Sequence, residues 1–203
     1  MAITADHIRT TLADYLAQHP EAKTELGVVL GLLDDGDDLT SRTTFPGHVT
    51  AGAILVDADD RVLHILHNMT QKWLLPGGHL EASDDTLLQA ASRELTEETG
   101  ISPYAVTSDS QTPLHIDVHP IDANPAKGEP AHQHFDFRFL FRTTADIGNL
   151  QTEEVSDAAW RELDSISDPI LRRHIAEALV NADSDAAMNG QLPLADPWSL
   201  TGE

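Results

Sequence analysis

The helix predicted over residues 84–99 constrains the fold of this chain more than any other feature. Leu88, Ala91 and Leu95 recur at the spacing of one helix face, and Gly100 stands where a left-handed residue commonly ends a helix. An amphipathic helix of this kind must bury its apolar stripe against another layer of secondary structure. The rest of the chain must therefore supply that layer.

Strands are the layer that the sequence predicts, because short β-branched and alternating apolar runs bounded by turns lie on both sides of the helix. The predicted strands are residues 48–56, 61–67, 72–75, 114–118, 134–142 and 158–163. Pro76, Gly77 and Gly78 are expected to break the third of these. One side of the fifth strand is predicted to face the core through Phe135, Phe137, Phe139 and Phe141. The order β, β, β, α, β, β, β, α is typical of an α/β or α+β sandwich.

Further helices are predicted towards both ends of the chain. They cover residues 4–18 with Thr4 as the cap, 21–33 and 169–182. We expect three regions along the chain, the last of them small, acidic and proline-containing. They are a helical N-terminal extension at residues 1–46, a main domain at 47–182 and a flexible acidic tail at 183–203.

The charge of the chain excludes several classes of partner. Its 203 residues include 34 acidic and 12 basic ones, which gives a formal net charge of −22. A field of that sign repels nucleic acids and anionic membranes, so we expect neither as a partner. The chain has no cysteine, which excludes disulfides, thiolate metal sites and a cysteine nucleophile. We expect a cytoplasmic protein, since the sequence shows neither a signal-peptide core nor a membrane span of ~18 apolar residues.

Three carboxylates near the end of the central helix are an unusual choice for a sequence selected only for stability. Glu94, Glu97 and Glu98 fall within an arc of about 100° on a helix. They repel one another by a few tenths of a kcal/mol per pair, and the helix dipole disfavours anions at this end. Clustered carboxylates suit Mg²⁺ or Mn²⁺, and Arg93 is placed to pair with one of them.

The residues from Gly78 to Ile101 resemble the Nudix box of Nudix hydrolases, G-x5-E-x7-R-E-U-x-E-E-x-G-U, where U is aliphatic. The second half of the pattern, from Arg93 onward, matches in full. The first half departs from it, because the spacing from Gly78 to Arg93 is one residue longer than in the pattern. The first acid is also an aspartate, and either Asp84 or Asp85 could fill that position.

The resemblance implies hydrolysis of a nucleoside diphosphate linked to another moiety, with Mg²⁺ or Mn²⁺ as cofactor. Carried over position by position, Glu97 and Glu98 are the expected metal ligands, and Glu94 is a ligand or the base that activates water. Arg93 would orient the glutamates. Gly78 would shape the loop and offer its carbonyl to a metal.

The resemblance covers roughly residues 48–165 and implies a Nudix-type α/β/α sandwich with a mixed sheet. It also implies a small nucleotide-type substrate.

The related fold of isopentenyl diphosphate isomerase is set aside, because that family relies on a cysteine. A catalytically weak nucleotide-binding sensor or regulator is the alternative function. The N-terminal helices could form a homodimer surface or a lid.

Other polar residues could complete the site. Further acids that could contribute are Glu81, Asp84, Asp85, Glu153 and Glu154. Two strands each place an alternating polar set on one face, namely His115, Asp117 and His119, and His132, His134 and Asp136. These side chains are either ordinary strand residues or substrate contacts. Zinc is the less favoured interpretation, since the sequence does not reveal the opposing ligands.

Overall fold

The computed structural model describes residues 2–150 and 153–189 of the chain. The chain divides into two compact units after Ser165. The second unit contains helix α4, Pro169–Asn189. No helix in the described residues is long and apolar enough to cross a membrane.

The first unit is built on one sheet of eight strands. In chain order they are β1 Gly47–Val56, β2 Val62–His67, β3 Lys72–Leu74, β4 Gly77–His79, β5 Val106–Thr107, β6 His115–Ile121, β7 His132–Thr143 and β8 Val155–Arg161. The main path through the sheet is β3-β2-β1-β7-β5, while β4 pairs with β1, β6 with β7 and β8 with β2. The central β1–β7 pair is parallel and the other pairs are antiparallel, so the sheet is mixed.

Three helices belong to the same unit, α1 Ala5–Gln18, α2 Gly27–Asp35 and α3 Leu87–Thr99. The Thr4 hydroxyl accepts a hydrogen bond from the backbone N–H of His7 at 3.2 Å, which confirms the predicted cap of α1. Gly36 ends α2 and Gly100 ends α3, both in the left-handed conformation. A short 3-10 turn, Pro20–Lys23, separates α1 from α2.

The core lies on one face of the sheet, against all three helices. The four alternating phenylalanines of β7 are at most 3% exposed, as predicted from their spacing. They share one apolar cluster with Leu12 of α1, Val29 of α2 and Leu95 of α3. Each buried side chain of this size contributes on the order of 1.5–3 kcal/mol. The opposite face of β7 therefore carries its polar residues.

The structure corrects several predicted boundaries. Helix α3 begins at Leu87, three residues later than predicted, because the hydroxyl of Thr86 caps it by accepting from the N–H of Gln89. Strand β4 begins inside the predicted break, at Gly77, and extends to His79, because its backbone pairs with β1. Strand β5 was not predicted. Strand β8 begins at Val155 rather than residue 158, since pairing with β2 extends it.

The predicted α/β sandwich with a mixed sheet and N-terminal helices is confirmed. The domain limits at 46/47 and 182/183 stay predictions. Helix α4 continues seven residues beyond the predicted end at 182, to Asn189. From residue 190 onward, the predicted acidic tail lies outside the described residues.

Candidate active site

Arg93 is the centre of an ion-pair network at the junction of α3 and β4. Its Nε and Nη2 donate to the two carboxylate oxygens of Asp84, each at 2.9 Å. Its Nη1 donates to Glu94 at 3.0 Å and to Glu97 at 2.9 Å. Nη2 also donates to the backbone carbonyl of His79 at 2.9 Å. One guanidinium thus fixes two helix carboxylates relative to the β4 strand.

Asp84, and not Asp85, is the partner of Arg93. The Asp84 side chain is only 2% exposed and also accepts a hydrogen bond from the N–H of Glu81 at 2.8 Å. Asp85 is exposed, and its backbone N–H donates to the side-chain carbonyl of Gln89. Burial and hydrogen bonding thus distinguish the two aspartates, and Asp84 is the one that Arg93 holds.

Glu98 and Glu94 are carboxylates held in an environment that disfavours their charge. Glu98 is 2% exposed and accepts one hydrogen bond, from the N–H of Gly77 at 2.9 Å. Burial raises the pKa of Glu98 to about 8 and the pKa of Glu94 to about 7, against the influence of Arg93. The negative charge of Glu154 raises both pKa values further.

Gly78 allows Glu94 to approach the backbone of β4. A Cβ at position 78 would lie 2.6 Å from Oε1 and 2.8 Å from Oε2 of Glu94. These separations are shorter than van der Waals contact, so any side chain here would displace the carboxylate. The glycine is required by the position of Glu94.

The donor set fits a divalent cation. The pKa values of Glu94 and Glu98 are raised. The side chain of Glu97 is 47% exposed. A hard cation with oxygen ligands would relieve the repulsion among these carboxylates and lower their pKa values. The arrangement can hold such an ion, and Arg93 leaves oxygens of Glu94 and Glu97 available to it.

The other predicted acids divide into two groups. Glu154 lies close enough for its charge to act on Glu94 and Glu98. Glu153 is exposed, and its backbone carbonyl accepts from the side chain of Asn68. Glu81 is exposed, with its carboxylate directed to the hydroxyl of Ser83 at 3.4 Å. Of these three acids, Glu154 is the one whose charge raises the pKa values of both Glu94 and Glu98.

The predicted polar faces of β6 and β7 form one surface. Their register places His119 opposite His134, Asp117 opposite Asp136, and His115 opposite Arg138. His132 lies on the same side of β7, since residues two apart share a face. His115 and His132 are buried, whereas His119 and His134 are half-buried.

Asp136 is the most connected residue of this surface. It accepts hydrogen bonds from the hydroxyl of Thr50 and from Nη2 of Arg138 at 2.8 Å. His119 donates through Nδ1 to Asp117 at 3.2 Å, and this bond lowers the pKa of Asp117 to about 2. These hydrogen bonds connect side chains of β1, β6 and β7 across the outer part of the surface.

Two histidines of this surface were missed by the sequence analysis. His48 of β1 lies opposite His134 in the parallel pair, and His79 of β4 lies opposite Thr50. The rings of His48 and His79 are centred 4.8 Å and 5.2 Å from the ring of His134. Neither residue belongs to an alternating histidine pattern, so only the strand order could reveal them.

Comparisons with known proteins agree with this fold. The family model described as the NUDIX domain matches residues 46–181, and the chain therefore belongs to the NUDIX family. A probable DHNTP pyrophosphohydrolase of Lactococcus lactis is 36% identical over 92 residues, covering 44% of this chain and 51% of that protein. The phosphatase NudJ of Escherichia coli K12 is 50% identical over 60 residues, covering 29% of this chain and 38% of NudJ.

The match therefore spans about half, or less, of the length of these curated relatives. Among solved structures, a NUDIX-family hydrolase from Clostridium perfringens superposes with a TM-score of 0.50 at 23% identity. It covers 66% of this chain and 97% of that structure. This similarity supports the fold alone.

Proposed function

We propose that this chain is a divalent-metal-dependent hydrolase that cleaves the pyrophosphate bond of a nucleoside diphosphate linked to another moiety. The observation that carries the proposal is the network in which Arg93 binds Asp84, Glu94 and Glu97 while Glu98 lies buried against Gly77. The proposal is supported because these acids of the Nudix box lie together with Arg93 at the junction of α3 and β4.

Glu97 and Glu98 are the proposed ligands of Mg²⁺ or Mn²⁺, together with the carbonyl of Gly78. When bound, the ion supplies neutralisation of the diphosphate and a lower pKa for the attacking water. Glu94 would accept the proton of that water as a general base, or would itself be a further ligand of the ion. Arg93 would keep Glu94 and Glu97 in place.

The reaction requires one water molecule. Its oxygen forms a bond to one phosphorus, the P–O bond of the anhydride breaks, and the two phosphate products leave. The substrate moiety outside the diphosphate is proposed to contact the polar face that carries His119, His134 and Asp136, with His115 and His132 supporting it from buried positions. The cytoplasmic location and the homodimer stay predictions.

A panel assay tests the proposal. Release of phosphate or pyrophosphate would be measured from nucleoside diphosphate and triphosphate derivatives, with DHNTP included because a relative is named for it. Each compound would be tested with Mg²⁺, with Mn²⁺ and with chelator. We expect metal-dependent turnover of at least one compound.

Two variants make the assay specific. Glu98→Gln removes the buried carboxylate and should reduce turnover by at least about 10²-fold, while Glu25→Gln, at an exposed acid of the N-terminal region, should leave it unchanged. Turnover by neither the wild type nor Glu25→Gln, with nucleotide binding retained in Glu98→Gln, would instead support the sensor function.

A further inference from the structure

The first unit contains a cluster of imidazoles on the sheet face opposite the phenylalanine core. His48, His79 and His134 each offer one ring nitrogen, and these three atoms lie within 4.8 Å of one another. They come from β1, β4 and β7, which are adjacent because β1 pairs with both other strands. The sheet thus brings together three nitrogen donors that are distant in sequence.

The hydrogen bonds of His48 define which nitrogen is available. Its Nδ1 donates to the backbone carbonyl of Thr44 at 3.2 Å. The ring is only 1% exposed, and its Nε2 has no hydrogen-bond partner within the described part of the chain. A buried polar atom without a partner costs about 1–3 kcal/mol. Metal-binding histidines are commonly oriented in the same way: the ring nitrogen that does not bind the metal donates a hydrogen bond to a carbonyl.

The rings of His79 and His134 have both nitrogens available. No hydrogen bond of the His79 or His134 ring occurs among residues 2–150 and 153–182. The neighbouring His132 donates from Nδ1 to the carbonyl of Pro130 at 2.8 Å, and its ring stacks on His48 at 5.0 Å. His132 therefore supports the position of His48 from one side.

We propose that His48, His79 and His134 form a second metal site, which binds a nitrogen-preferring divalent cation such as Zn²⁺. Mg²⁺ prefers oxygen ligands and would not be held by three imidazoles. The site is therefore chemically distinct from the carboxylate cluster around Glu98. Three protein ligands leave a fourth position on the ion for water or a substrate oxygen.

To bind a metal ion, the three ring nitrogens would have to move modestly closer together. Zn–N bonds of about 2.0–2.1 Å in a tetrahedral site place the nitrogens about 3.4 Å apart. The observed limit of 4.8 Å is wider, so side-chain rotation of His79 and His134, which are only half-buried, would complete the site.

A second group, His119, His134 and Asp136, shares His134 with this site but is less suited to an ion. Nδ1 of His119 is bonded to Asp117, and the oxygens of Asp136 accept from Thr50 and Arg138. The shared residue makes the two groups distinguishable by substitution, because His79 belongs only to the first and His119 only to the second.

The test is metal binding by the untagged full chain after treatment with chelator and desalting. Zn²⁺ would be titrated by calorimetry and Co²⁺ by visible absorption, both with excess Mg²⁺ present to occupy oxygen sites. We expect about one equivalent of Zn²⁺ and a Co²⁺ spectrum typical of tetrahedral coordination, and we expect Glu98→Gln to retain both. Because the readout is binding, the result does not depend on whether the proposed hydrolase activity is correct.

His79→Gln should weaken Zn²⁺ binding at least about 100-fold, since loss of an outer-shell partner alone commonly costs 10–100-fold. His119→Gln, the matched control, should bind like the wild type. His48→Gln is a less secure variant because the residue is buried, so unfolding midpoints would be measured for each protein. Unchanged affinity in His79→Gln, or lost affinity in His119→Gln, would overturn the assignment.

Discussion

Asp84 receives two parallel hydrogen bonds from Arg93, from Nε and from Nη2, each at 2.9 Å. The two residues lie nine positions apart, one before α3 and one within it. The aspartate side chain is almost completely buried, so the guanidinium of Arg93 is the main group that balances its negative charge. This pair connects the loop ahead of α3 to the face of the helix that carries the glutamates.

Asp84→Asn is expected to destabilise the protein by about 3 kcal/mol, because it breaks a buried ion pair and leaves the arginine partly uncompensated. It should also lower kcat/KM, since Arg93 orients Glu94 and Glu97. Denaturant unfolding and kinetics would measure the two effects. Asp85→Asn is the control, and equal behaviour of the two variants would contradict the assignment of Asp84.

Gly78→Ala is expected to reduce activity strongly, by about 10²-fold. The added Cβ would lie 2.6 Å from Oε1 of Glu94 and would push the carboxylate away. Gly31→Ala in helix α2 is a suitable control, since a Cβ there meets no atom within 4 Å. The control should be neutral or stabilised by up to about 1 kcal/mol. Kinetics with matched metal concentrations would check both, and an active Gly78→Ala variant would show that Glu94 need not approach β4.

The stability of the protein in chelator is expected to fall as the pH rises from about 4.5 to about 8. The pKa of Glu98 rises on folding from 4.5 to about 8, so in this window the folded state retains a proton that the unfolded state has lost. Stability therefore decreases with pH, and Glu94 adds to the slope up to about pH 7. Denaturant midpoints measured across this range would record it.

Glu98→Gln should flatten that dependence, whereas Glu25→Gln should keep it. Addition of Mg²⁺ should restore stability at the alkaline end, because ion binding favours the folded state with charged carboxylates. A slope that is identical in the wild type and in Glu98→Gln would mean that Glu98 is not the titrating group.

Glu154→Gln is expected to alter metal affinity or activity by about tenfold, because its charge acts on both Glu94 and Glu98. Glu153→Gln, one residue earlier, should have no effect. The two variants have the same change of net charge, so general electrostatics cannot explain a difference between them. Calorimetric titration with Mn²⁺ and steady-state kinetics would measure it.

Much of the fold could be predicted because its signals are local. The helix period around Leu95, the left-handed glycine at 100 and the alternating phenylalanines of β7 depend on residues within a few positions of one another. The short strand β4 could not be predicted in this way. It exists because Gly77 and Gly78 pair with β1, more than twenty residues away in sequence.

The amino-acid sequence by itself determined the acidic helix face, with Glu94, Glu97 and Glu98 in the arc that a helix requires, and the neighbouring Arg93. Only the tertiary structure decided that Asp84 rather than Asp85 pairs with that arginine, since burial depends on contacts between distant segments. The structure also decided which histidines meet, by placing β1 and β4 beside β7. Periodicity reports one strand at a time, whereas a site across strands depends on their order and register.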